Sequence, residues 1–203
     1  LHTMAEYATV PVKKAIAHIP ADIHYDEAAA SVEGLHYALN FINKVTLHAN
    51  QTALVNGAAG AIGSMLVQLL KYHNVNVTAT CNKQNIDLVK GLGADHVIDY
   101  THTDFTTTNG EYDFIFDAVG KSTFRACKKL LTKRGIYISS ELGPYLQNPL
   151  LALTTRLFGG KCVIFPFPQN INASIQFVKK LYGEKKFIPI IDRRYQPEDI
   201  QSA

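Results

Sequence analysis

Three glycines stand three residues apart, Gly57, Gly60 and Gly63, in the stretch "ALVNGAAGAIGSMLVQLLK" (53–71), where an apolar run becomes an amphipathic one. Glycine at such a join permits a tight turn and lets backbone N–H groups approach a bound anion. It also lets the following helix pack close to the strand. Two readings follow: a loop that cradles the phosphates of a dinucleotide, or a strand-to-helix turn with only a structural role. In the G-x-G-x-x-G register the first position is Ala58, not glycine.

About twenty residues on, an acid at the end of the second strand would hold a ribose 2′-hydroxyl. "TCNKQN" (80–85) has no carboxylate, and Asp87 comes only inside the next helix. Lys83, with Asn82 and Asn85 beside it, puts a cation where the anion would be. That favours a 2′-phosphate and hence NADP over NAD. The other reading of Lys83 is a solvated lysine at a helix entry. Asp117 ends the run "YDFIFD" and is equally a ligand contact or a helix cap, and "ELG" (141–143) ends the next strand, where a nicotinamide would lie.

Other reactive types carry less. Eight histidines are dispersed along the chain. Cys81, Cys127 and Cys162 are odd in number with no C-x-x-C spacing, which reads as buried free thiols in a reducing compartment and not as a metal site. Tyr182 and Lys186 match a Y-x-x-x-K spacing, yet they follow the sixth strand with no serine about a dozen residues before, and read as one helix face. No residue receives a catalytic role.

The elements that must position these residues alternate strand and helix. Strands are predicted at "TALVN" (52–56), "VNVTATC" (75–81), "HVIDY" (96–100), "YDFIFDAVG" (112–120), "IYISSELG" (136–143) and "KCVIF" (161–165). Ile62, Met65, Leu66, Leu69 and Leu70 repeat with helical spacing. Further helices are predicted over 26–44, 85–93, 149–158 and 171–182, and over "STFRACKKLLTKRG" (122–135), closed by Gly135. Continuous apolar strands with helices between them predict a doubly wound, six-stranded parallel α/β sheet in the order 3-2-1-4-5-6.

The ends break that rhythm. "MAEYATVPVKKAIAHIP" and "FIPIIDRRYQP" look like parts of a neighbouring domain. This gives three regions: 1–25 from a substrate domain, 26–186 as the dinucleotide-binding domain with a bridging helix, and 187–203 as the return to the substrate domain. The composition, 47% hydrophobic and 18% charged, is that of a globular chain. A net charge of +3 without a basic stripe argues against nucleic acid. No apolar run reaches the length of a membrane span and no signal-peptide pattern opens the chain, so cytoplasm is the expectation.

Taken together, "AEYATVP", "DEAAAS", "NGAAGAIGSMLVQLLK", "TATCNKQNIDLVKGLGADHVIDY", "DFIFDAVG" and "FIPIIDRRYQPEDIQSA" resemble the medium-chain dehydrogenase/reductases. Within these they are most similar to the zinc-independent, zeta-crystallin-like quinone reductases, whose loop admits alanine and so accommodates Ala58. The resemblance runs through nearly the whole chain in the family's order. It implies a Rossmann sheet between parts of a GroES-like domain, NADP(H), and hydride transfer to a quinone, enone or related carbonyl. It implies that Ala59, Gly60, Ala61 and Ile62 contact the pyrophosphate, with Gly57 and Gly63 shaping the loop. It also implies Asn82, Lys83 and Tyr100 around the 2′-phosphate, Val119 and Gly120 near the ribose, and Gly143 and Phe165 near the nicotinamide. Homodimers are common in the family. Glu33 in "SVEGLHYAL" stands where zinc-dependent relatives place a cysteine ligand, which disfavours a zinc alcohol dehydrogenase. The competing readings are an NADPH-binding module without turnover and, more remotely, a methyltransferase on a similar sheet.

Overall fold

Strand β1 (Thr52–Asn56) is a short apolar run whose side chains are needed on both of its faces. Ala53 and Val55 enter one hydrophobic cluster and Leu54 enters another. Burial on both sides is what a parallel sheet demands of its strands. The computed structural model describes residues 16–167 and 170–196, together with Thr9 and Asp199.

The elements follow in the order α1 (Tyr25–Ile42), β1, α2 (Ala61–Tyr72), β2 (Asn76–Cys81), α3 (Ile86–Gly91), β3 (His96–Asp99), β4 (Tyr112–Asp117), α4 (Phe124–Cys127), β5 (Leu131–Ser139), α5 (Gln147–Phe158), β6 (Cys162–Ile164) and α6 (Ile171–Gly183). The six strands are ordered β3-β2-β1-β4-β5-β6, and every neighbouring pair is parallel, as the alternation of elements predicts. The carboxyl ends of all six strands therefore lie along one side of the sheet.

Two layers cover the sheet. On one face α1 and α2 supply Leu35, Phe41, Met65, Leu66 and Leu70 against Val55, Phe116 and Ile138, with the rings of Phe41 and Phe116 6.2 Å apart. On the other, Leu54, Ile115, Tyr137 and Val163 pack with Phe105, Phe124 and Leu130. Each large apolar side chain taken fully from water stabilises the fold by about 1.5–3 kcal/mol. Helix α6 lies against α1, where Ser174 Oγ is 2.8 Å from His36 Nδ1 and the Tyr182 hydroxyl meets Ser31 and the Glu27 carbonyl. Tyr182 is thus half-buried on α6, but Lys186 lies beyond the end of that helix at Gly183, so the two do not share the helix face expected of them.

The segment 122–135 departs from the predicted helix. Only Phe124–Cys127 is α-helical, a 3-10 turn covers Lys128–Leu130, and β5 has begun by Leu131. Pairing with β4 jumps from Tyr112↔Leu131 to Phe114↔Ile136, so β5 bulges between them. Gly135 belongs to this bulge and not to a helix stop: a Cβ there would come within 2.9 Å of the Tyr112 carbonyl oxygen.

Past α6 the chain runs back along α2. Gln68, buried in the middle of that helix, accepts from the Ile188 N–H at 2.8 Å and donates to the Ile188 carbonyl at 3.0 Å. One side-chain amide thus substitutes for a strand partner.

Candidate functional site

The loop from Gly57 to Gly60 joins β1 to α2 at the carboxyl side of the sheet. Gly57 has φ +84°, a conformation that costs any L side chain, and a Cβ there would lie 2.3 Å from Val119 Cγ1. Gly63 permits the other close approach, because its Cβ would stand 2.2 Å from the Gly57 carbonyl oxygen. Helix α2 therefore begins tight against the loop: Gly57, one residue before the motif's first position at Ala58, makes the turn, and Gly63 allows the close packing that the third glycine of such a motif provides. Gly60 is the N-cap and supplies no side chain, so the N–H groups of Ala61, Ile62 and Gly63 have no carbonyl within the helix to meet.

In front of this loop lies a cavity of about 570 Å³. Asn56, Gly57, Ala59 and Gly60 form its floor, and Cys81, Asn82 and Asn85 come from the end of β2. Tyr100, Asp104 and Phe105 come from beyond β3, and Val119 and Lys121 from beyond β4. Four strand ends thus converge on one space, where ligands of open α/β sheets bind. The Asn82 Oδ1 atom is buried there without a hydrogen-bond partner. An orphaned acceptor on a cavity wall suits a ligand that brings a hydroxyl or an N–H.

The expected residues divide by position. Gly57, Ala59, Gly60, Asn82, Tyr100 and Val119 line the cavity, and Gly120 lies in the turn between Val119 and Lys121 with φ +63°. Ala61, Ile62 and Gly63 form the first turn of α2. Lys83 is exposed on the 3-10 turn after β2 and is not part of the cavity wall. Gly143, with φ +68°, follows β5, and Phe165 follows β6 with its ring 5.3 Å from that of Phe167. Both belong to neighbouring strand ends outside this cavity.

Sequence reasoning missed Asn56, Cys81, Asp104, Phe105 and Lys121. Lys121 stands four residues past β4, where Lys83 stands two past β2, and checking every strand end for a cation would have found it. Asp104 accepts from the Thr106 hydroxyl and N–H at 2.8 and 2.9 Å, bonds that hold its carboxyl below the usual carboxylate range. Burial, and then the nearby Asp99 carboxylate, push the Cys81 thiol up, so it lines the cavity as a neutral group.

Asp117 neither caps α4 nor faces the cavity. Thr123 provides that cap through its hydroxyl and the Ala126 N–H. Asp117 is fully buried, accepting from Asn56 Nδ2 at 3.0 Å, from the Ser122 N–H at 3.0 Å and from the Tyr137 hydroxyl at 2.9 Å.

A family of zinc-binding dehydrogenases has a model that matches residues 92–203, more than half of the chain. The chain belongs to the medium-chain dehydrogenase/reductases, among their quinone oxidoreductase-like members. A chloroplastic quinone-oxidoreductase homologue of Spinacia oleracea is 30% identical over 208 residues, 95% of this chain and 61% of its own. A chloroplastic NADPH-dependent alkenal/one oxidoreductase of Arabidopsis thaliana is 34% identical over 120 residues, 58% of this chain and 31% of its own. A thermostable alcohol dehydrogenase from Pyrobaculum aerophilum shares the fold with a TM-score of 0.76 at 23% identity, over 97% of this chain and 57% of that one. This medium-chain dehydrogenase/reductase chain thus spans about three-fifths of the length of its spinach relative.

Two family traits can be tested on the residues. The cavity fits a dinucleotide, through its glycine loop, the open helix terminus and the orphaned Asn82 acceptor. Among the described residues no three His, Cys, Asp or Glu side chains gather as metal ligands. Among those residues, too, no helix is long and apolar enough to cross a membrane.

Proposed function

We propose that this chain is the dinucleotide-binding core of an NADPH-dependent, zinc-independent reductase that passes hydride to a quinone, enone or related carbonyl. The observation that carries the reading is the convergence of the Gly57–Gly60 loop, the α2 terminus and three neighbouring strand ends on one cavity. The names of the spinach and Arabidopsis relatives point to the same cofactor and acceptor classes.

When bound, the nicotinamide supplies the hydride, and the chain's own residues hold and orient the rest. The N–H groups of Ala61, Ile62 and Gly63, aided by the helix dipole, neutralise the pyrophosphate against the surface of Ala59 and Gly60. Asn82, Lys83 and Tyr100 would hold the 2′-phosphate, and Val119 with Gly120 would bound the ribose. Gly143 and Phe165, past the ends of β5 and β6, would flank the nicotinamide. The proton comes from solvent or from the substrate domain, to which 1–25 and 187–203 belong in this reading. Residues 26–186 form the cofactor domain, the assembly is a homodimer in the cytoplasm, and light scattering and cell fractionation check these two points.

Fluorescence titration with NADPH and NADH tests the cofactor. NADPH binds more tightly, and Lys83→Glu removes that preference; equal affinities, unchanged by Lys83→Glu, would sink the 2′-phosphate assignment. Consumption of NADPH with a panel of quinones and enones by the gene's full product tests the reaction. A second reading, a binding module without turnover, shares the glycine loop and the cavity in front of it. It survives if NADPH binds and no acceptor is reduced.

A further inference from the structure

Four polar residues form a row across the sheet, and none of them was expected to act together. Thr80 of β2 pairs in register with Asn56 of β1, Asn56 with Asp117 of β4, and Asp117 with Ser139 of β5. All four are buried. They lie at the last position or next to the last of their strands, directly beneath the glycine loop.

The row has a direction set by Asp117. A carboxylate only accepts, so Asn56 must turn its Nδ2 to Asp117, at 3.0 Å. The Asn56 Oδ1 then faces Thr80 and takes the hydroxyl proton, at 2.7 Å. With its proton committed, the Thr80 oxygen has lone pairs left for the Gly57 N–H, at 3.1 Å. The Thr80 carbonyl accepts from Ala58 N–H at 2.9 Å. On its other side Asp117 accepts from the Ser122 and Val119 N–H groups, at 3.0 and 3.4 Å, and so closes the turn that carries Val119 and Lys121. The Tyr137 hydroxyl completes its shell at 2.9 Å and stays protonated, since burial and then Asp117 itself push its pKa up.

We propose that Asp117 is a positioning residue for the dinucleotide site: through Asn56 and Thr80 it orients the Gly57 backbone, and through Ser122 and Val119 it sets the opposite wall. The proposal rests on the dinucleotide reading above only for what fills the cavity. Both segments answer to one carboxylate, so the seating of Gly57 against Val119 is fixed before any ligand arrives. A preformed loop spares the binding step the cost of ordering it.

The clean test is Thr80→Val, which keeps the shape and removes the hydroxyl, beside Thr80→Ser, which keeps the hydroxyl. Amide hydrogen exchange in the ligand-free protein and NADPH titration are the two readouts. Thr80→Val should speed exchange at Gly57 about tenfold and weaken NADPH binding by a similar factor, while Thr80→Ser stays near the parent protein. Asp117→Asn should speed exchange at both walls, Gly57–Gly60 and Val119–Ser122, with the strand centres unchanged. Exchange and affinity in Thr80→Val within twofold of Thr80→Ser would overturn the proposal. So would a uniform rise over all six strands in Asp117→Asn, which marks lost stability instead of lost positioning. Should Asp117→Asn fail to fold, the Thr80 pair decides alone. If the exchange pattern holds but the parent protein binds no NADPH, the cofactor reading fails and the positioning role stands.

Discussion

A Cβ on Gly63 would stand 2.2 Å from the carbonyl oxygen of Gly57. The first turn of α2 therefore rests on the backbone of the loop before it, and the contact is backbone to backbone, with no flexible side chain able to give way. Gly63→Ala must push the helix off the loop. The expected cost is about 1–3 kcal/mol in a denaturant titration, together with weaker NADPH binding. Gly60→Ala is the contrast, because its Cβ would meet nothing closer than the Gly57 carbonyl oxygen at 3.5 Å. A Gly63→Ala protein as stable as the parent would refute this account of the packing.

Lys121 and Lys83 should separate in their effects. Lys121 leaves β4, which lies beside β1 on the side away from β2, whereas Lys83 leaves β2. Lys121→Glu is expected to weaken NADPH and NADH alike, by about fivefold at low salt and less as salt screens it. Lys83→Glu is expected to weaken NADPH alone. Titrations of both variants with both cofactors at two ionic strengths check the pattern.

Acid stability should show the Asp95 carboxylate. Burial works to raise its pKa, but bonds from Lys71 Nζ and the Val77 N–H, at 2.8 and 2.7 Å, outweigh that and leave it lowered. A carboxylate depressed by folding adds stability at pH values above its unfolded pKa of about 3.9. That contribution is lost as pH falls from there through the lower folded value. Thermal midpoints of Asp95→Asn should converge on those of the parent below about pH 4 and lie under them at neutral pH.

Thiol chemistry offers a probe of the second core. Burial raises the Cys127 pKa to about 11, with the Ser122 hydroxyl 3.1 Å from its sulfur working in the other direction. At pH 8 the native protein should leave Cys127 unlabelled by a thiol reagent over the time in which guanidinium-unfolded chain labels fully. Peptide mapping reads the result, and fast native labelling of Cys127 would contradict its burial.

Much of the architecture was legible because strand length and helical spacing are local properties. "FIFD" and "ALVN" could only be short buried strands, and the order of elements left little freedom in the sheet. The segment 122–135 was not legible in the same way. Its apolar residues satisfy a helical spacing, yet the pairing of Leu131 and Ile136 with β4 is non-local and outweighed it. At the site, the glycines and the β2 end could be placed from the sequence, whereas Asp104 needed the chain's path after β3. The polar row was hidden for a different reason. Thr80, Asn56, Asp117 and Ser139 each look like the polar end of an apolar run, and only the register of four strands shows that they are neighbours.

Helix α2 is a strut of about 18 Å, with the glycine loop seated under its first turn and Gln68 two turns further along, gripping the chain that returns past α6. The cofactor end and the tail are in this way fastened to the same rigid rod, at points on separate faces. Gln68→Ala would cut the tether while leaving every residue of the cavity wall in place. One amide therefore serves as a handle for uncoupling what the tail does from what the loop holds.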